Sequence, residues 1–178
     1  MIIIMRHKLS ALFAEARTKL YASGETVFRA GDEVREMFFV ADGRAELVRY
    51  TIAGAPLVLN QPSKGDIIAE ASAYSPTYHC DCVLRADTTL NSISVKRFLD
   101  GLQHMPDLSN LWAAKLASEL QHARMLSQIR SLKTVRMRLD AWLGLEKSIP
   151  PNGEIQELAR ILGVSREALY RELSRRGR

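Results

Sequence analysis

Cysteine is nearly absent from this 178-residue chain, which has only Cys80 and Cys82. Two are too few for a disulfide framework, and a bridge across one residue would be strained. The plain expectation is a pair of reduced thiols on a strand. A metal or redox site at His79, Cys80 and Cys82 would need a distant ligand pair, and the sequence offers none. Histidine is scarce too: His7, His79, His104 and His122 have no metal-binding spacing. An enzyme reading, such as a metal-dependent jelly roll of the cupin kind, is therefore weakest, and no catalytic or metal residue is assigned. Long apolar runs are missing as well, which excludes a membrane span and a membrane partner. The start, "MIIIMRHKL", has no small-residue cleavage site, so no signal peptide is read and a cytoplasmic location is the default.

Charge of negative sign is short in one place only. From Met1 to Ile129 there are 14 basic and 14 acidic residues, whereas from Arg130 to Arg178 there are 11 basic and 6 acidic. The whole net charge of +5 thus lies in the last third. Such a block points to an anionic partner there, or more blandly to a solvated basic face.

Periodicity divides the chain. Leu9, Leu12, Phe13, Ala16 and Leu20 have helical spacing over residues 8–21. Short apolar runs then alternate with breaks at Gly24, Gly31-Asp32, Gly43, Gly54-Ala55-Pro56, Pro62 and Gly65-Asp66, a rhythm of antiparallel strands in a barrel or jelly roll. Strands continue through "CDCVLRADTTLNSISV", and "KRFLDGL" closes the region as a short helix. After Pro106, Leu108, Leu111, Trp112, Leu116, Leu120, Ala123, Leu126 and Ile129 recur at helical steps, with Asp107 or Ser109 as candidate caps. No Gly or Pro intervenes before Gly144, which predicts one long helix, or two bent near Ser131. Its apolar stripe needs a cover, either a second copy of the chain or its own β-domain. Val135, Leu139, Trp142 and Leu143 extend the helical pattern until "SIPPNG" stops it.

The segment "LARILGVSREALYREL" carries the functional signal. Ile155, Leu158, Ala159 and Leu162 make an apolar face; Gly163 suits a sharp turn, Ser165 a cap, and Leu169 and Leu173 point back inward. This is the spacing of a helix-turn-helix, whose second helix enters the major groove with its N-terminal half. Arg166, Glu167, Tyr170 and Arg171 fall on the side that cannot pack. Arginine can fork to guanine O6 and N7, and glutamate can accept from cytosine N4. Tyr170 can reach a phosphate or a thymine methyl. Arg175, Arg176 and Arg178 suit phosphates, which give affinity without sequence information.

The chain resembles the Crp/Fnr superfamily of bacterial transcription regulators over nearly its whole length. "GETVFRAGDEVREMFFVADGRAELV" looks like that family's opening β-roll strands, and "GDIIAEASAYSP" like its phosphate cassette. "LKTVRMRLDAWL" resembles the first helix of its winged-helix domain, and "GVSREALYREL" its recognition helix. The resemblance implies an α+β fold: an N-terminal antiparallel β-roll or jelly roll over residues 1–106, binding an effector; a long dimerisation helix over 107–131; and a truncated winged helix-turn-helix over 132–178. It implies double-stranded DNA, a second copy of the chain and RNA polymerase as partners. It also assigns base readout to Arg166, Glu167 and Arg171. An effector would rotate the long helices and reorient the DNA-reading ends.

Two departures shape the expectations. Family members that bind cyclic nucleotides pair a Gly-Glu with an Arg-Ser about ten residues on. Here the candidate effector residues are Gly65, Asp66, Glu70, His79, Cys80 and Asp81. Ala69 stands where the glycine would be, and either Cys80-Asp81 or His79-Cys80 takes the Arg-Ser place. Asp81 would repel a phosphate. Cyclic AMP and GMP are therefore expected to bind weakly or not at all. Four cysteine ligands for an iron–sulfur cluster are lacking, and His79 has no partner as a haem ligand. No cofactor is expected. Secondly, the sequence stops at Arg178 where a β-hairpin wing would follow, which predicts a missing or rudimentary wing and weaker phosphate contact. The competing reading is a small-molecule sensor whose degenerate DNA-binding end works through protein partners.

Overall fold

In the computed structural model, which describes residues 8–146 and 155–177, the β-forming runs pair into two four-stranded antiparallel sheets. One has the order β1 (Arg17–Tyr21), β8 (Thr88–Ser94), β3 (Glu36–Asp42), β6 (Ile67–Ile68). The other has β2 (Thr26–Phe28), β7 (Asp81–Leu84), β4 (Ala45–Tyr50), β5 (Pro56–Asn60). Alternating side chains bury one face of each sheet, so that Met37, Val40, Leu47, Cys82, Leu84 and Leu90 are withdrawn from solvent. Phe28 stacks on Tyr78 with ring centroids 3.8 Å apart, and the Tyr78 hydroxyl donates to the Glu36 carbonyl at 2.7 Å.

The N-terminal segment corrects the expectation of a helix over residues 8–21. Lys8 and Leu9 are helical and a 3-10 helix follows over Ser10–Phe13, so the helical reading holds for the first half of the segment, but Arg17–Tyr21 is strand β1, paired with β8 from Arg17↔Ser92 to Tyr21↔Thr88. Leu9, Leu12 and Phe13 are buried as their spacing requires, but Leu20 is 69% exposed. The hydrogen bonds offered by β8 outweigh weak helical propensity in a segment containing Thr18 and Tyr21.

Helix α1 (Val95–His104) is capped by Ser94, whose hydroxyl accepts from the Arg97 N–H at 3.2 Å. Helix α2 (Pro106–Ser131) begins ahead of both expected caps. Pro106 supplies the first helical residue, where its missing N–H is harmless. The Leu108 and Ser109 amides donate to the Met105 carbonyl, so neither Asp107 nor Ser109 is the cap. Of the two alternatives for the helical region, the broken one holds. α2 ends at Ser131 and α3 (Val135–Glu146) restarts with the Thr134 hydroxyl accepting from the Met137 N–H at 3.2 Å. Two short helices follow, α4 (Ile155–Leu162) and α5 (Arg166–Arg175). The segment "SIPPNG" lies outside the described residues.

The chain separates into two compact units, Met1–Ala113 and Ala114–Arg178, so α2 contributes to both. In the first unit Phe98 of α1 meets Trp112 of α2 edge-on, centroids 5.0 Å apart, and Phe13 at 6.0 Å. In the second, Ile129, Leu139, Trp142, Ile155, Leu158, Ala159, Leu162, Leu169 and Leu173 form one core. The apolar stripe of α2 is thus used at both ends, by Trp112 and by Ile129. Its middle is partly open: Leu116 is half-buried, Ala123 is exposed, and Leu120 is 51% exposed. Among the described residues no helix is long and apolar enough to cross a membrane.

Candidate nucleic-acid interface and sensory site

Local sequence builds the C-terminal site. Ile155, Leu158, Ala159 and Leu162 bury one face of α4, and Leu169 and Leu173 bury the facing side of α5. Between the helices Gly163 adopts φ +63°, a left-handed backbone where glycine carries no Cβ penalty. Val164 packs half-buried against the core. Ser165 caps α5, its hydroxyl accepting from the Ala168 N–H at 3.1 Å.

With Leu169 and Leu173 pinned inward, helical geometry turns Arg166, Glu167, Tyr170, Arg171 and Arg175 outward, and all five are exposed. The Arg166 guanidinium lies over the Tyr170 ring, 5.3 Å from its centroid, which orders both side chains. The Glu167 carboxyl is held below the usual carboxylate range by its own backbone N–H and by the Ser165 hydroxyl, with Arg166 and Arg171 adding attraction. It is therefore a pure acceptor at neutral pH.

Arg176 is placed differently from Arg175. It bridges Glu172 at 2.9 Å and Asp140 of α3 at 2.8 Å, and donates to the Arg136 carbonyl at 3.4 Å. Glu172 is only 8% exposed, so its charge needs that partner. A cleft of about 720 Å³ opens beside this network, with Arg136, Arg171 and Arg175 among its walls above Asp140 and Glu172. Arg176→Ala is expected to lower unfolding stability by about 1–2 kcal/mol, discounted for partial exposure, because it strands Glu172. Chemical denaturation measures this, and Arg176→Ala with Glu172→Gln should recover part of the loss. Arg178 lies outside the described residues.

The structure spreads the candidate effector residues along a turn and two neighbouring segments. Gly65 takes φ +90°, and the Asp66 carboxylate accepts from the Ser63 N–H at 2.9 Å, closing the turn into β6. Ala69 has φ 72°, the left-handed region where a glycine would sit without strain. Glu70 is half-buried. His79 is exposed, with Nδ1 3.1 Å from the Ser72 hydroxyl. The Asp81 carboxylate accepts from the Ala30 N–H at 2.8 Å and so holds the end of β2 to β7.

Cys80 is 1% exposed, and burial, then Glu70 and Asp81, push its thiol up to about 11, against an opposing pull from Arg49. Burial, then Cys80 and Glu70, push Cys82 up to about 12. Arg49 on β4 is a charge that the sequence reading missed; only the alignment of β4 beside β7 brings it near Cys80. Both thiols are protonated at neutral pH and should resist alkylation until the protein unfolds. In the unfolded chain they ionise near the ordinary 9.0. The stability they contribute is complete below pH 9.0 and is lost as pH rises through about 11 and about 12. Unfolding midpoints measured from pH 8 upward should fall, and Cys80→Ala with Cys82→Ala should flatten the fall.

The amino-acid sequence matches the cyclic nucleotide-binding domain family over residues 18–105. It is 28% identical over 160 residues to the cyclic AMP receptor protein of Thermus thermophilus, covering 87% of this chain and 74% of that protein. Among solved structures, the c-di-GMP responsive global regulator CLP of Xanthomonas campestris has a TM-score of 0.64 at 23% identity, with 95% of this chain and 90% of that one covered. FixK2 of Bradyrhizobium japonicum has a TM-score of 0.66 at 17% identity, covering 90% and 83%. These structural likenesses establish a shared fold.

Proposed function

Because the chain belongs with the Crp/Fnr-type regulators, we propose that it is a sequence-specific DNA-binding transcription regulator acting as a homodimer. The observation that carries this reading is α5: a helix capped by Ser165 and pinned by Leu169 and Leu173, with Arg166, Glu167, Tyr170, Arg171 and Arg175 all facing solvent. The residues suited to base edges lie between Arg166 and Arg171, and Arg175 follows for phosphate. The partly open middle of α2 supports pairing with a second copy, which would present two such helices to a near-palindromic site. RNA polymerase is a further partner under this reading, and the chain acts without catalysis, in the cytoplasm.

The test is a mobility shift on duplexes selected from random DNA, repeated across salt concentrations. Binding should favour the selected sequence and weaken steeply as salt rises, since each neutralised phosphate releases counterions. Sedimentation should give a dimer. Binding with a flat salt dependence would support instead a sensor acting through other proteins.

The sensory end does not suit a cyclic phosphate. Its cassette offers an uncharged buried thiol at Cys80 and a carboxylate at Asp81 already committed to Ala30. Neither supplies the cation that would compensate the anion in a site that must desolvate it, and Arg49, although near Cys80, is exposed on β4. Titration with cyclic AMP or cyclic GMP, followed by calorimetry, is expected to show no binding in the micromolar range, and micromolar affinity would refute this part of the reading. No iron–sulfur cluster or other cofactor is assigned.

A further inference from the structure

The C-terminal end of α4 is satisfied by two arginines from outside the helix-turn-helix. A helix leaves its last four carbonyls without partners inside the helix, at the negative end of its dipole. Here the Val164 N–H donates to the Ala159 carbonyl at 3.0 Å and the Gly163 N–H to the Arg160 carbonyl at 3.2 Å. These are the two bonds of a Schellman closure. The next three carbonyls are taken by side chains. Arg130 Nε donates to Ile161 O at 2.9 Å. Arg138 Nη1 donates to Leu162 O at 3.1 Å and to Gly163 O at 2.8 Å. Arg138 Nε also donates to Leu132 O at 2.8 Å, which ties the corner after α2 to the same turn.

Both arginines pack against the turn at Gly163. A Cβ there would lie 3.4 Å from Arg130 Cγ and 3.6 Å from Arg138 Nη1. These are ordinary contact distances, so the glycine is required by its φ of +63° and not by the approach of the arginines. Two residues later Ser165 starts α5, so the first turn of the exposed helix hangs from the clamped carbonyls.

We propose that Arg130 and Arg138 are positioning residues: they hold the carbonyl end of α4, fix how α5 is presented, and so set the selectivity of DNA reading without touching the duplex. This rests on the DNA-binding reading above. It also makes the last turn of α2 a direct determinant of the α5 geometry, through Arg130.

The experiment compares Arg130→Met, Arg130→Lys, Arg138→Met and Arg138→Lys in the full chain. Two readouts are taken: the affinity ratio between a selected and a random duplex across salt, and amide hydrogen exchange at Gly163 and Val164. Loss of a charge-assisted bond at the turn should speed exchange at Val164 by about tenfold. The affinity ratio should fall by about tenfold in each Met variant, with the salt slope unchanged. Arg130→Lys should recover part of the ratio, because an ammonium can still reach one carbonyl. Arg130 makes a single bond, so its variants should keep a near-native thermal midpoint. The two lysine variants serve where a methionine variant fails to fold.

A different pattern overturns the proposal. If these arginines meet phosphates, binding to both duplexes falls in parallel, the slope drops by about one, and lysine restores it. Unchanged exchange at Val164 in all four variants also overturns it. Should the unaltered chain show no preference between duplexes, the DNA reading itself fails. Exchange at Val164 then decides the clamp alone.

Discussion

Arg166→Ala is expected to lower affinity for the preferred duplex by roughly 1–3 kcal/mol, on the order of 5- to 150-fold. Arg166 is the first residue of α5, where the N-terminal half of a recognition helix approaches base edges. Its guanidinium can donate two parallel hydrogen bonds to one guanine, and the Tyr170 ring beneath it limits the rotamers lost on binding. The loss should be concentrated at one base pair of each half-site. Substituting that pair should cost the unaltered protein about as much as the mutation does, and should cost the Arg166→Ala protein little more. Affinity for random DNA should fall much less. Fluorescence anisotropy on the four base variants at each position measures all of this. Arg175→Ala should behave in the opposite manner, weakening binding to every sequence and reducing the salt slope by about one.

The largest loss of stability is expected from Gly43→Ala, about 2–5 kcal/mol, in the unit that contains the candidate effector residues. Gly43 joins β3 to β4 with φ +91°, a conformation that penalises any L-residue with a Cβ. The space is also occupied. A Cβ at this position would lie 2.5 Å from the Thr88 hydroxyl, 2.6 Å from the Asp87 carbonyl oxygen and 2.8 Å from Thr88 Cα. Two of those atoms are backbone, so relief requires the start of β8 to move. Thr88 itself cannot swing away freely, because its one hydroxyl proton lies between the Ala86 and Arg44 carbonyls, at 2.8 and 3.1 Å, and its oxygen accepts from the Arg44 N–H. Strain and overpacking therefore add. Gly54→Ala provides the control. It has φ +78° but nothing within 4 Å, so it should lose only the conformational part, about 1 kcal/mol. Denaturant titration of both variants separates the two contributions.

Local features were legible in the sequence. The packing of α4 on α5 depends on contacts between residues a few positions apart, and Ala159, Gly163, Ser165, Leu169 and Leu173 each declare their role by type and spacing. The alternating strands of the β-roll were legible for the same reason, since Gly43, Gly54 and Gly65 mark breaks between short apolar runs. What failed depended on distant partners. Leu20 fits a helical face in the sequence, yet β1 exists because β8 pairs with it from about seventy residues away. The bond of Arg176 to Asp140, which crosses to a different helix, likewise left no trace in the sequence. Arg130 and Arg138 gave no signal at all, because nothing in a sequence shows which carbonyls an arginine will reach. Helix α2 lies between these cases. Its periodicity was clear, but only packing shows that Trp112 and Ile129 are already used, while Leu120 and Ala123 between them are exposed.

The reading of α5 as a major-groove helix is tested most directly by binding to a selected duplex in which each guanine in turn is replaced by 7-deazaguanine. That change removes the N7 acceptor from the groove and leaves pairing and charge intact. The account requires weaker binding at one or more guanines in each half-site, with the effect at one of them lost in Arg166→Ala. Equal affinity at every position, in a complex that still prefers its selected sequence, would contradict it.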